Sequence, residues 1–64
     1  MRSRKERKLY KQQKYVLKQS YAELNYKYGI YVLNFISGDY TYTLSNTSLQ
    51  KILERYYEVK SRQK

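Results

Sequence analysis

Between Ala22 and Leu44 apolar and polar residues alternate with a period of two, the mark of half-buried strands. Ala22, Leu24 and Tyr26 alternate with Glu23, Asn25 and Lys27. Tyr31, Leu33 and Phe35 alternate with Val32, Asn34 and Ile36, while Tyr40, Tyr42 and Leu44 alternate with Thr41 and Thr43. The only two glycines, Gly29 and Gly38, fall between these runs and supply the backbone freedom that hairpin turns need. A two-residue turn at Tyr28-Gly29 sets Tyr31 opposite Tyr26, Leu33 opposite Leu24 and Phe35 opposite Ala22. A second at Ser37-Gly38 sets Phe35 opposite Tyr40, Leu33 opposite Tyr42 and Tyr31 opposite Leu44. Together the two turns place nine side chains on one face of one antiparallel sheet.

On either side of this region the period becomes helical. From Ser3 to about Lys18 there is no Gly or Pro and one β-branched residue, Val16, so helix is the locally preferred state. At about 100° per residue, Arg4, Arg7, Lys8, Lys11, Lys14 and Lys18 share one side, with Leu9, Val16 and Leu17 across from them and Tyr10 at the border. The i,i+4 pairs Arg4 and Lys8, Arg7 and Lys11, and Lys14 and Lys18 repel by a few tenths of a kcal/mol each, so the first turns are expected to fray until a polyanion binds. Gln19-Ser20-Tyr21 marks the change of period; a helix continuing to Leu24 would forfeit the pairings with the middle strand. Beyond the strands, Thr47 and Gln50 have capping-box spacing. Leu49, Ile52, Leu53, Tyr56 and Val59 then form one apolar stripe, with Lys51, Glu54, Arg55, Glu58 and Arg62 facing away and a polar tail, Ser61 to Lys64, expected to fray.

The expected fold is therefore α+β in the order α-β-β-β-α. A basic amphipathic N-terminal helix at 1–18 precedes a small α+β unit at 19–64, in which a three-stranded antiparallel meander is packed by a C-terminal helix, one domain in all. In element order alone this resembles the double-stranded-RNA-binding domain. No residue motif of that family is present, and the last helix opens with Ser48-Leu49-Gln50-Lys51 instead of its basic cluster. Pattern does not decide which face of the sheet the first helix covers.

Charge changes the picture most. Fourteen Lys and Arg against five Asp and Glu give the 64-residue chain a formal charge of +9, and eight of those cations, opposed only by Glu6, lie in residues 1–18. Such an imbalance favours polyanionic partners. The absence of Cys and His removes disulfides and thiolate or imidazole metal ligation, and agrees with a cytoplasmic location. The longest apolar run, Ile30 to Leu33, is too short to span a bilayer, and no apolar h-region follows the basic start. Heavy use of Lys, Tyr, Ile and Asn with no Pro points to an AT-rich coding genome such as those of certain bacteria and their phages or mobile elements. An enzyme is not expected, because acid-base work needs a His or a paired carboxylate in a pocket, and no cofactor motif or Gly-rich phosphate loop is present.

Two functional surfaces emerge. The first is a nucleic-acid contact made by Arg4, Arg7, Lys8, Lys11, Lys14 and Lys18 through phosphates, with Tyr15, Tyr28 and Lys27 as aromatic and cationic neighbours for unpaired bases. The competing reading is a solubilising basic arm; a membrane-surface helix is disfavoured by the narrow apolar side and its lack of Trp and Phe. The second surface is Tyr21, Ile30, Val32 and Ile36, which point away from the expected core among Asn25, Asn34, Thr41 and Thr43. That face is either packed by the first helix or left open for a partner, as in an inhibitor, an adaptor or a homodimer.

Overall fold

The computed structural model describes residues 3–62. A helix α1 (Arg4–Gln19) leads into strands β1 (Glu23–Lys27), β2 (Ile30–Ser37) and β3 (Tyr40–Asn46), and helix α2 (Leu49–Ser61) closes the chain. The three strands form one antiparallel sheet in sequence order, with β2 in the centre. The α+β architecture and the α-β-β-β-α order are as the sequence pattern predicts. Of the tail expected to fray, Gln63 and Lys64 lie outside the described residues, while Ser61 still belongs to α2.

The first hairpin has the expected register, with Tyr26 opposite Tyr31 and Leu24 opposite Leu33. Its turn places Tyr28 at φ 55° and Gly29 at φ 75°, the pair of left-handed residues that matches strand twist in a two-residue hairpin. The second hairpin is displaced by two residues from the expected pairing. Ser37 pairs with Tyr40, Phe35 with Tyr42 and Leu33 with Leu44, so the turn is Gly38-Asp39. Gly38, at φ 65°, takes the first central position, and Ser37 stays in the ladder as a buried strand residue. A shift of two keeps every side chain on its face, which is why the core set survives the change. Tyr40 does not: at the turn end of the hairpin it is left exposed.

Both helices lie on the same side of the sheet. Tyr10 of α1 sets its ring 6.3 Å from Tyr26 and 5.7 Å from Tyr31, while Tyr56 of α2 meets Phe35 edge-on at 4.9 Å. Leu17, Ala22, Leu24, Tyr31, Leu33, Phe35, Leu49, Ile52, Tyr56 and Val59 make the buried core. Each fully buried large side chain contributes about 1.5–3 kcal/mol by leaving water. The apolar stripe of α2 is the expected one. On α1 the inward side is turned from the expected position: Leu17 is buried, Leu9, Tyr10 and Gln13 are half-buried, and Val16 is 44% exposed. The large ring of Tyr10 fits the space over Tyr26 and Tyr31, and that rotation carries Val16 out to the flank.

The joins between elements explain the remaining boundaries. Ser3 caps α1 by accepting from the Glu6 N–H. At the other end Ala22 N–H donates to Leu17 O and Tyr21 N–H to Lys18 O, with Tyr21 at φ 60°. This is a Schellman ending in which a tyrosine takes the left-handed place glycine usually fills, and buried Ala22 rests on buried Leu17. Ala22 therefore serves the helix end, and the β1 ladder starts at Glu23. Before α2 the cap is Ser48, not Thr47, and its side chain makes no capping bond. Asn46 Oδ1 instead accepts from the Ser48 N–H and shapes the turn from β3.

Tyr28 pays a backbone cost that Asn would not. Tyr28→Asn should raise the unfolding free energy by about 0.5–1 kcal/mol in urea titration. An unchanged or lowered midpoint would mean that the ring contributes packing which the exposed turn does not reveal.

Candidate nucleic-acid interface

Because the inner side of α1 is spent on the core, its outer side is fixed in direction. Arg4, Arg7, Lys8, Lys11, Lys14 and Lys18 are all exposed there, with Tyr15 among them. At about 1.5 Å per residue the row is about 21 Å long. Glu6, the acid on this helix, sits half-buried on the inner side. Among the described residues the two ion pairs both lie at the C-terminal end of α2 and its cap, where Glu58 meets Arg55 at 3.1 Å and Arg62 at 2.7 Å. Lys14 leans over Tyr10, its Nζ 3.4 Å from the hydroxyl and 5.5 Å from the ring centre. The result is a band of exposed cations along α1, with Lys14 and Lys18 at its margin towards β1.

Lys27 and Tyr28 are not part of that row. They sit at the tip of the first hairpin, where Lys27 Nζ lies 5.3 Å from the Tyr28 ring centre, and Lys27 alternates onto the sheet face opposite α1. Tyr28 is 88% exposed. Its left-handed backbone is the feature that sequence reasoning missed, since the Tyr-Gly pair reads simply as a turn.

The second candidate surface also changes membership. With both helices on the inner face, the outer face carries Ile30, Val32 and Ile36 along β2, flanked by Asn25 on β1 and by Thr41, Thr43 and Ser45 on β3. Thr43 Oγ1 donates to Asn34 Oδ1 at 2.8 Å, and Asn25 Nδ2 donates to Glu23 Oε1 at 3.0 Å. Ile36 is 58% exposed and Ile30 41%. Tyr21 does not belong with them. It precedes the strand, at the left-handed end of α1, and instead lines a groove with Lys14 and Lys18 of α1 and the first residues of β1.

No group of acidic, His or Cys side chains able to hold a metal, and no helix long and apolar enough to cross a membrane, occurs among the described residues. No family model, no curated protein sequence and no solved structure gives a match to this chain.

One titratable group is perturbed. Burial raises the Tyr56 phenol above its ordinary value and nearby Tyr57 adds to this, while a side-chain hydrogen bond with Ser20 acts the other way. Below the unfolded value both states are protonated and the contribution of Tyr56 is intact. As pH climbs past about 10, the unfolded chain ionises first and that contribution is lost. The stability advantage of the parent protein over Tyr56→Phe should therefore shrink between pH 8 and pH 11 in parallel urea titrations. A constant difference would show that the phenol ionises as readily folded as unfolded.

Proposed function

We propose that this protein is a small, non-enzymatic nucleic-acid-binding factor with an accessory or regulatory role, of the kind carried by phages and mobile elements. Its α1 row would lie along a phosphate backbone. The observation that supports this is the row itself: six exposed cations on one side of one helix, with no acidic ion-pair partner among the described residues. Phosphate contacts of this kind release counterions, so affinity is independent of sequence and falls with salt. Tyr15 within the row and Tyr28 at the hairpin tip are exposed enough to stack on unpaired bases.

A second reading, docking of a protein partner on the outer sheet face, is favoured by one observation. Packing both helices on one side leaves Ile30 and Ile36 open to solvent. The two readings use opposite sides of the molecule and are separable by mutation.

Anisotropy titrations of labelled mixed-sequence DNA and RNA over a KCl series test the first reading. Lys11→Gln with Lys14→Gln should reduce the slope of log affinity against log salt by roughly 1.8, two phosphate contacts' worth. Undetectable binding to every oligonucleotide at low salt would end the proposal. For the second reading, Val32→Asp should abolish capture of a nuclease-resistant protein partner while leaving the monomer folded by circular dichroism. Equal capture by parent and variant would remove the outer face from consideration.

A further inference from the structure

The two edges of the sheet are not alike. β1 is short, carries Glu23 and Lys27, and has Lys14 and Lys18 of α1 close by. β3 runs for seven residues, Tyr40–Asn46, without a charge, a proline or a glycine, and pairs with β2 residue for residue with no bulge. Charge, proline and bulges are the devices that keep a strand edge from accepting another strand, and β3 has none of them.

The register shows which backbone groups of β3 face outward. Ser37 and Tyr40 close a two-residue turn and exchange hydrogen bonds, as do Phe35 with Tyr42 and Leu33 with Leu44. The N–H and C=O groups of Thr41, Thr43 and Ser45 therefore point away from β2. Among the described residues no turn, loop or cap hydrogen bond reaches them. Beside them opens a groove of about 490 Å³, lined by Thr43 to Asn46 and by Lys51, Ile52 and Arg55 of α2. The inner side of β3 is also incompletely covered: Tyr42 and Leu44 are half-buried and Tyr40 is 68% exposed, whereas Tyr31, Leu33 and Phe35 on β2 are buried.

Charge selects the occupant. A chain of net charge +9 repels its own copies wherever the cations of α1 face one another. The β3 side is different, because the strand is uncharged and Lys51 and Arg55 on α2 are balanced by Glu54 and Glu58, the last bonded to Arg55 at 3.1 Å. We propose that β3 pairs antiparallel with β3 of a second copy, joining two sheets into one of six strands about a two-fold axis at Thr43. The outward groups fix the register: Thr43 faces Thr43 of the second copy, and Thr41 faces Ser45 in both directions. Each pairing sets one small hydroxyl side chain against another, a favourable cross-strand match, and on the inner face it sets Tyr42 beside Leu44 of the second copy. An uncharged edge gives a foreign strand nothing ionic to recognise, while a second β3 matches it along its length. The two-fold axis keeps all four helices on one face and places the two α1 helices at the far ends, over β1 strands about 24 Å apart.

The test is sedimentation equilibrium of the full chain between about 0.01 and 1 mM, with amide exchange followed by NMR at both ends of that range. The expected result is a monomer–dimer equilibrium in which exchange at Thr41, Thr43 and Ser45 slows as the dimer fills. Thr43→Lys and Thr43→Glu, at an exposed position, should each raise the dimer dissociation constant about tenfold or more while circular dichroism stays native, because like charges then meet at the axis. An equimolar mixture of the two variants should dimerise again. A monomer at every concentration would overturn the proposal and leave the edge to a strand of another protein. A dimer whose Thr41, Thr43 and Ser45 amides stay unprotected would overturn it too. So would a dimer lost in Val32→Asp and kept in Thr43→Lys, which puts the contact on the outer sheet face. The exchange measurement uses the parent chain and decides the matter even where a variant does not fold.

Discussion

A strand can hide only every second side chain, and in this molecule the central strand spends that allowance on Tyr31, Leu33 and Phe35. All three are buried beneath helices that approach from the same side. Among the described residues both helices pack on that one face, so the alternate residues Ile30 and Ile36 are exposed and Val32 is half-covered. Putting both helices on one face also dictates the direction of everything on α1. Once Tyr10 and Leu17 face the sheet, the cations between Arg4 and Lys18 have only the outside left to them.

Much of this was legible in residue order because face membership depends only on parity. Parity alone puts Leu24 and Leu33 in the core and Leu44 against it, although the second turn falls one residue later than the pattern predicts. Sliding a hairpin by two residues alters partners and leaves faces alone. What escaped the pattern was three-dimensional fit. Val16 and Tyr10 exchange roles because an aromatic cluster with Tyr26 and Tyr31 takes the space over β1 and β2. The capping of α2 was misread because Asn46 shapes that turn from outside the helix.

The functional surfaces were legible in a similar proportion. Charge position along α1 follows from helical geometry, so the cationic row could be read directly. Tyr21 could not, because alternation extended backwards from Leu24 assigns it to the outer sheet face. The chain there is not extended but closing a helix, with Tyr21 N–H bonded to Lys18 O. The same misassignment hides the groove beside β1, which Tyr21 lines together with Lys14 and Lys18.

The repulsion built into the outer side of α1 has a thermodynamic corollary. Leu17 on the inner side is part of the core, so any strain along the cations is transmitted to the melting equilibrium of the whole molecule. Dissolved ions relieve that strain while competing for the same phosphates. Added electrolyte thus makes the molecule sturdier and its grip on a polyanion weaker, two opposed responses issuing from one helix.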